Sequence, residues 1–294
     1  MHNKIYVIGV LLSSSITLSA QSLLDELNTG VESKTDTIFT EATFKANRLI
    51  NGQTVETVGK NDLNVVVSHR FGNLNSGIDY FYGLDQSFIR LGLDYGISRR
   101  VDIGIGRSHE QKLVDSHIKL KLFRQASGAY NMPISVSFYS SIAIRTDQGV
   151  VPGRKYTLLN RLNYLNEFLI ARKINNSVSI QIVPGILHRN LTDLDNNPNL
   201  VPFSGIGTRV KITNRVALCA EYYYVFANEV AKRFVNPLSF GVDIETGGHI
   251  FQLHFSNTRA MNEKIMIAEN TNSWLKGDVG FGFNIIRNFN LSRK

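Results

Sequence analysis

Metal chemistry needs clustered ligands, and the seven histidines and one cysteine of this 294-residue chain are scattered. None of the histidines follows the H-E-x-x-H spacing of helical zinc sites. His249 and His254 are five residues apart, so on a strand they lie on opposite faces. Cys219 alone cannot form an intrachain disulfide or a cysteine-ligated cluster. The sequence therefore predicts no metal site and no cofactor.

Nucleophilic catalysis needs a serine or cysteine beside a histidine. Ser204 precedes a glycine but lacks the first half of the G-x-S-x-G motif, and His188 lies on the preceding predicted strand. Asp193 and Asp195 stand in an Asn- and Pro-rich loop, where turn formation explains them better than acid catalysis. We expect no catalytic residues and no enzyme activity; the alternative is a barrel enzyme acting on lipid or peptide at an external rim through Ser204 and His188.

Residues 1–20 have the organisation of a secretory signal peptide. Lys4 supplies a positive start, the apolar run Ile5–Leu12 follows, and small residues precede a cut after Ala20. The run is too short to span the roughly 30 Å of a bilayer core as a helix, which disfavours an N-terminal anchor. Because the segment holds one lysine and no acid, its removal lowers the formal net charge from +8 to +7.

From residue 63 onward, apolar residues recur at every second position, which is the pattern of β-strands. Residues 89–97 and 279–285 show it clearly, with Gly, Asp, Arg or Asn between the apolar positions. Most predicted strands run nine to fourteen residues, the length that a tilted strand needs to cross a bilayer. Twelve strands are predicted, at 63–71, 87–97, 100–108, 116–124, 133–145, 158–172, 177–190, 203–213, 216–226, 236–246, 249–257 and 275–289.

The connections between these strands alternate between long and short along most of the chain, as external loops and periplasmic turns do in outer-membrane barrels. Residues 72–86 form a long connection and residues 98–99 a minimal one. The predicted fold is all-β: a transmembrane antiparallel up-and-down barrel of about 12 strands, with 14 as the alternative count and both termini periplasmic. A soluble secreted sandwich or lipocalin-like barrel is disfavoured, because the second face of each strand is too polar to join a dry core.

The chain accordingly divides into a signal peptide at 1–20, an N-terminal segment at 21–62 and the barrel at 63–294. The segment 21–62 is polar, Thr-rich and weakly patterned. It fits either a disordered periplasmic tail or a plug folded into the lumen.

Polar residues at the inward positions of the predicted strands are the remaining candidates for function. They carry both signs of charge, which fits either a closed ladder of inner salt bridges or an open, mildly anion-preferring channel. The candidate lumen-lining residues are Arg90, Asp94, Lys119, Lys121, Arg145, Arg209, Lys211, Glu221, Asp243 and Glu245.

Several stretches of the sequence resemble one protein family. They are Thr43–Gly52, Ile180–Pro184 with His188–Asn190, Glu221–Tyr224 and Gly247–Leu253. These stretches are similar to a Bacteroidetes family of outer-membrane β-barrels of unknown function, DUF5777, over roughly residues 40–289. The resemblance implies the barrel fold and the outer membrane, and it implies no activity.

These observations predict a porin-like outer-membrane protein that is either a narrow pore or a closed scaffold for a partner. The mean hydropathy of −0.08 excludes a polytopic helical membrane protein. Basic residues are scattered without a cluster of four, so nucleic acid is not an expected partner. The expected partners are outer-membrane lipid and either a periplasmic protein or a small solute.

Overall fold

The computed structural model of the chain describes residues 36–147, 157–192 and 198–292. The predicted signal peptide, residues 21–35 of the N-terminal segment, and Asp193 and Asp195 lie outside these ranges. Among the described residues, a large compact unit contains the barrel and lies within 39–125 and 132–292, and a smaller unit includes 36–38 and 126–131. Within the described ranges, no helix is long and apolar enough to cross a membrane.

Twelve strands form one closed antiparallel barrel, in which each strand pairs with its neighbours in the chain and the last pairs with the first. The strands are β1 (Asp62–Asn73), β2 (Ser87–Ser98), β3 (Val101–Ser108), β4 (Val114–Phe123), β5 (Ser135–Ile144), β6 (Leu162–Lys173), β7 (Val178–Arg189), β8 (Leu200–Lys211), β9 (Val216–Val225), β10 (Leu238–Thr246), β11 (His249–Ser256) and β12 (Gly280–Asn290). Two short helices, α1 (Asn228–Arg233) and α2 (Glu263–Ala268), lie in the connections, and the two-residue strands Ile38–Phe39 and Ala126–Ser127 lie outside the barrel sheet. The predicted fold class is confirmed.

The two ends of the barrel differ. At one end, Asp62 pairs with Asn290, so the chain enters and leaves the barrel there; we call this the terminal end. Connections at this end include the two-residue turns at 99–100 and 247–248. The opposite end, the loop end, carries the connections 74–86, 145–161, 190–199, 226–237 and 257–279. The predicted alternation fails locally, because the 124–134 connection at the terminal end is longer than 109–113 at the loop end.

Two predicted strands begin four or more residues later than the sequence pattern indicates. The sixth begins at Leu162, because Leu159–Arg161 form a 3₁₀ turn. The twelfth begins at Gly280, because Trp274–Lys276 form a 3₁₀ turn that ends at Gly277 with a left-handed φ of 75°. Apolar residues in these two turns extend the alternating sequence pattern, so the predicted strands are too long at their starts.

The alternation of side chains decides which residues meet the interior. On β2, Leu91 points outward and is 55% exposed, whereas its neighbour Arg90 points inward and is 2% exposed. The outer wall is mainly apolar, with exposed Ile, Leu and Phe on successive strands. The inner wall instead holds charged, amide and hydroxyl side chains that are buried. Such groups can be buried only where they find hydrogen-bond or ionic partners.

Candidate functional site in the barrel lumen

The lumen is occupied by residues 43–58, which precede β1 and which we call the inner segment. Most of its residues are buried, including Arg48 at 4% exposure and Thr54 at 0%. The segment reverses direction in a tight turn: Leu49 N donates to Gly52 O at 2.9 Å, and Thr54 N donates to Asn47 O at 3.0 Å. It therefore enters the barrel from the terminal end and returns towards it to join β1.

The tip of the inner segment is bound by side chains of the last four strands. The Glu221 carboxylate on β9 accepts from Asn51 N at 2.9 Å and from Gly52 N at 3.2 Å. Gln252 Nε2 on β11 donates to Leu49 O at 2.7 Å. Asn284 Nδ2 on β12 donates to Ile50 O at 2.8 Å. Because the tip has no sheet of its own, these wall side chains satisfy its buried backbone groups.

The returning arm of the inner segment is bound by the opposite wall. Val55 N donates to Gln181 Oε1 on β7 at 2.8 Å, and Val55 O accepts from Ser137 Oγ on β5 at 2.7 Å. Val58 N donates to Asp102 Oδ2 on β3 at 2.9 Å.

Lysines from β4 complete the contacts of this arm. Lys119 Nζ donates to Asn47 O at 3.2 Å and to Glu56 O at 3.1 Å. Lys121 Nζ forms an ion pair with Glu56 at 2.9 Å. With the bonds from Asn47 to Asp94, Arg70 to Asn51 and Asn51 to Ser239, ten of the twelve strands hydrogen-bond the inner segment.

Shape complements these polar contacts. Phe44, Leu49, Ile50 and Val55 belong to the buried hydrophobic cluster of the lumen. A Cβ atom at Gly52 would lie 1.6 Å from Tyr223 Oη, so the tip passes this ring only because the residue is glycine.

The loop end is closed by the connection 257–279. All six residues of α2 are buried, and Asn262 caps the helix by accepting from Lys264 N at 2.9 Å. Glu263 Oε1 lies 3.4 Å from Arg48 Nη1 and accepts from Gln53 Nε2 at 3.3 Å. The loop from one end and the segment from the other therefore meet at Glu263 inside the barrel.

A charged cluster joins α2 to the rest of the loop end. Lys264 Nζ pairs with Glu269 Oε1 at 2.7 Å and also donates to Gln111 Oε1 at 2.7 Å. Glu110 lies beside this cluster, and burial raises the pKa of its carboxyl above the ordinary value, an effect that Arg259 opposes and Glu269 reinforces. Closure at this end thus depends on ionisable groups outside the strands.

Most of the predicted lumen-lining residues lie inside the barrel and are paired. Arg90 binds Asp115 at 2.5 Å, and Arg209 binds Asp243 at 3.4 Å and Glu245 at 2.8 Å. Buried at the inner wall are Arg90, Asp94, Lys119, Arg209, Glu221 and Asp243. Each of these charges has a partner on the wall or in the inner segment, which fits a closed lumen.

The other four candidates lie nearer the barrel ends. Lys121 and Glu245 are partly buried and pair with Glu56 and with Lys45 and Arg209, respectively. Lys211, the last residue of β8, lines a shallow cavity of about 700 Å³ at the terminal end.

Arg145 is the exception to its predicted inward strand position. The strand ends at Ile144, so Arg145 lies in the loop-end connection and pairs with Asp147 at 2.5 Å. The sequence pattern missed this end because the alternation continues one residue past the last ladder pair, Val114 with Ile144.

The alternative catalytic pair does not assemble. Ser204 pairs with Pro184, whereas His188 pairs with Leu200, so the two candidates are four register positions apart, about 13 Å along the strand. Both lie on the outward face of the barrel, and His188 contacts the Tyr164 ring instead. The alternative pair of Ser204 and His188 is therefore not brought together, because adjacent strands do not by themselves place two residues in register.

His117 is buried on the inner wall beside two carboxylates. Its Nε2 lies 3.8 Å from Asp94 Oδ1 and 3.7 Å from Asp102 Oδ1. Among the residues that the structure describes, no group of three or more His, Cys, Asp or Glu side chains is arranged to hold a metal ion.

Several solved barrels are similar in shape and distant in sequence. The NanC porin is 9% identical with a TM-score of 0.48, and the match covers 76% of this chain and 97% of that one. An outer membrane channel from Pseudomonas putida F1 is 9% identical with a TM-score of 0.48, covering 80% and 98%. The outer membrane phospholipase A from Escherichia coli is 8% identical with a TM-score of 0.44, covering 85% and 96%.

No curated protein matches the chain. The family described as "Membrane bound beta barrel domain (DUF5777)" matches residues 44–289, a range that begins in the inner segment and ends in β12. The match covers most of the chain and includes both the wall and the segment inside it. The chain belongs to this family of membrane-bound β-barrels.

Proposed function

We propose that this protein is a non-enzymatic outer-membrane channel whose barrel is held closed by the inner segment and by the loop that carries α2. Residues 1–20 would export it in a bacterium of the Bacteroidetes, and the terminal end would face the periplasm. The observation that supports closure is the set of hydrogen bonds from ten strands to residues 43–58. The inner segment is in this proposal the plug of the channel.

The chemistry of the contacts favours a removable plug over a permanent core. Most bonds between wall and segment join a side chain to a backbone group, and water can replace either partner. The net cost is about 1 kcal/mol for a neutral bond and about 1.5–3 kcal/mol for a bond to a charged group. The barrel ladder itself contains no residue of the segment, so it persists when the segment leaves. If the inner segment were a permanent part of the core, the inner wall that contacts it would not need to be polar.

The opened lumen would suit a small polar solute. Twelve strands tilted by about 40° enclose a backbone diameter of ~24 Å, and inner side chains leave at most ~12 Å. Without the segment, Arg70, Lys119 and Glu221 would face water from different sides. Because both signs are interleaved, we expect weak charge selectivity. Opening would be driven by a solute at the loop end or by a periplasmic protein that draws the segment out.

Planar-bilayer recording tests this proposal with three forms of the mature chain. The wild type should be mostly closed, and a variant lacking residues 43–58 should conduct in discrete steps. A Glu56→Cys/Lys121→Cys variant should conduct more often than wild type when reduced, since its ion pair is lost, and should close when a short reducible bis-thiosulfonate joins the two thiols. The reagent is also applied to the wild type, because its native thiol, Cys219, is buried on the inner wall of the closed barrel and its reaction must be measured separately.

The outcomes separate the alternatives. If the deletion variant shows no conductance while its mobility in cold SDS gels shows that the barrel is folded, the channel proposal is wrong and a scaffold remains. Equal conductance of the linked and reduced forms would overturn the plug. Hydrolysis of a phospholipid or peptide by the wild type would instead favour the rim enzyme, although Ser204 and His188 are not placed to carry it.

A further inference from the structure

The outer wall of the barrel carries a polar notch on strands β4, β5 and β6. Ser140 Oγ on β5 donates to Asn166 Oδ1 on β6 at 2.9 Å, and both side chains point outward. A cavity of about 390 Å³ adjoins Ser140, and Ser116, Ile118, Ile142 and Tyr164 also line it. Small residues thus form a hollow between larger apolar ones.

The Asn166 amide is only half satisfied. Nδ2 donates no hydrogen bond to any described residue, so its two N–H groups lack a protein partner there. Exchanging the amide oxygen and nitrogen does not remove the deficit, because Ser140 then accepts one N–H and the oxygen loses its donor. One polar end of this side chain lacks a partner in either orientation.

The depth of Asn166 excludes water and lipid headgroups as that partner. Asn166 lies four residues below Leu162, the first residue of β6, which at ~3.3 Å per residue and ~40° tilt is about 10 Å below the loop end of the strand. The apolar band of such barrels is about 25 Å tall and the strand about 30 Å, so the amide lies roughly 7 Å inside the hydrocarbon. Acyl chains offer no acceptor there.

We infer that the β4–β6 face binds a second copy of this chain, with Asn166 near a two-fold axis normal to the membrane. A primary amide carries donors and an acceptor together, so two copies of Asn166 complement each other in an isologous contact. A hydrogen bond between side chains is the interaction that joins membrane-embedded segments when the hydrophobic effect cannot. The hollow at Ser116 and Ser140 lets the two walls approach closely, as small residues do between helices in membranes.

Cysteine cross-linking tests this face directly. Ser140→Cys in the full mature chain, reconstituted in vesicles of outer-membrane lipid and oxidised with copper phenanthroline, should give a covalent dimer. Leu253→Cys is the matched control, because it is an outward residue of β11, six strands away on the other side of the barrel. The wild type, with only the buried Cys219, sets the background.

A second measurement follows the non-covalent state. Single-molecule photobleaching of labelled wild type should show two steps per spot, and Asn166→Leu should raise the dimer dissociation constant at least tenfold while leaving the folded barrel intact in cold SDS gels. Asn166→Gln, which keeps the amide, should retain dimers. Equal cross-linking at positions 140 and 253, single-step bleaching of the wild type, or capture of a different protein by Ser140→Cys would each overturn the inference.

Discussion

Replacing Glu221 on the inner wall should open the closed barrel. Its buried carboxylate accepts from Asn51 N at 2.9 Å and from Gly52 N at 3.2 Å, at the tip of the inner segment. Glu221→Ala removes both acceptors. Each hydrogen bond to a charged group contributes about 1.5–3 kcal/mol, so the closed state loses about 3–6 kcal/mol relative to the open one.

At 1.4 kcal/mol per factor of ten, the open-to-closed ratio should rise about 10²- to 10⁴-fold. Water that enters the space left by the side chain can rebind the two N–H groups, so we take the lower limit of about 100-fold as the expected result. Glu221→Gln keeps one acceptor without charge and should lie between the wild type and Glu221→Ala.

The assay is the open probability in single-channel records at low applied voltage. Glu167→Ala is the matched control, because Glu167 is an equally buried carboxylate on the inner wall of β6 without a hydrogen bond to any described residue of the inner segment. The reasoning is refuted if folded Glu221→Ala opens no more often than wild type, or if Glu167→Ala opens as often as Glu221→Ala.

Three further changes probe the other contacts. A Cβ at Gly96 would lie 1.9 Å from the Gly59 carbonyl oxygen, so Gly96→Ala should displace the chain after the inner segment and increase its proteolysis from the terminal end, whereas Gly248→Ala, with open space around its Cβ, should not. Glu263→Ala leaves Arg48 without this buried counter-ion, so limited proteolysis from the loop end should cut residues 257–279 faster than in wild type. Burial raises the pKa of Glu110 above its ordinary value. The contribution of the protonated Glu110 side chain to stability is therefore complete below about pH 4.5 and is lost as the pH rises through the folded-state pKa. Glu110→Gln should raise the melting temperature relative to wild type at pH 8 and leave it unchanged at pH 4.

The strands could be predicted from the sequence because each of them has one face against an apolar medium. The pattern at 87–97 corresponds to β2 at Ser87–Ser98 within one residue. His69 lies on the apolar face of β1. Its ring stacks on that of Phe283 with 5.1 Å between the ring centroids, and its Nε2 lies 2.8 Å from Ser87 Oγ. A polar residue on such a face is tolerated when neighbours on the next strands satisfy it.

The inner segment could not be predicted in the same way. Its backbone is irregular and its partners lie far along the chain: Asn51 and Glu221 are 170 residues apart, and no local period records that contact. The composition of the stretch, polar with interspersed Leu, Ile and Val, fitted a tail as well as a plug. Only the closed register of twelve strands brings Glu221, Gln252 and Asn284 to one place. That the ten candidate residues line a conducting pore remains a prediction.

The long separations of these contacts have a consequence for how the molecule is assembled. Ile50 O bonds Asn284 across 234 residues, and the first strand pairs with the last through Val67 and Ile285. The inner segment directly precedes the first strand, so neither the seam nor the seating of the segment can be completed before the final strand is made. If the barrel closed first, its charged interior would be left empty. The inner segment therefore enters the lumen in the same late step in which the first and last strands pair. A variant with fewer hydrogen bonds at the tip of the inner segment should therefore pair its first and last strands more slowly. Its middle strands should form at the normal rate.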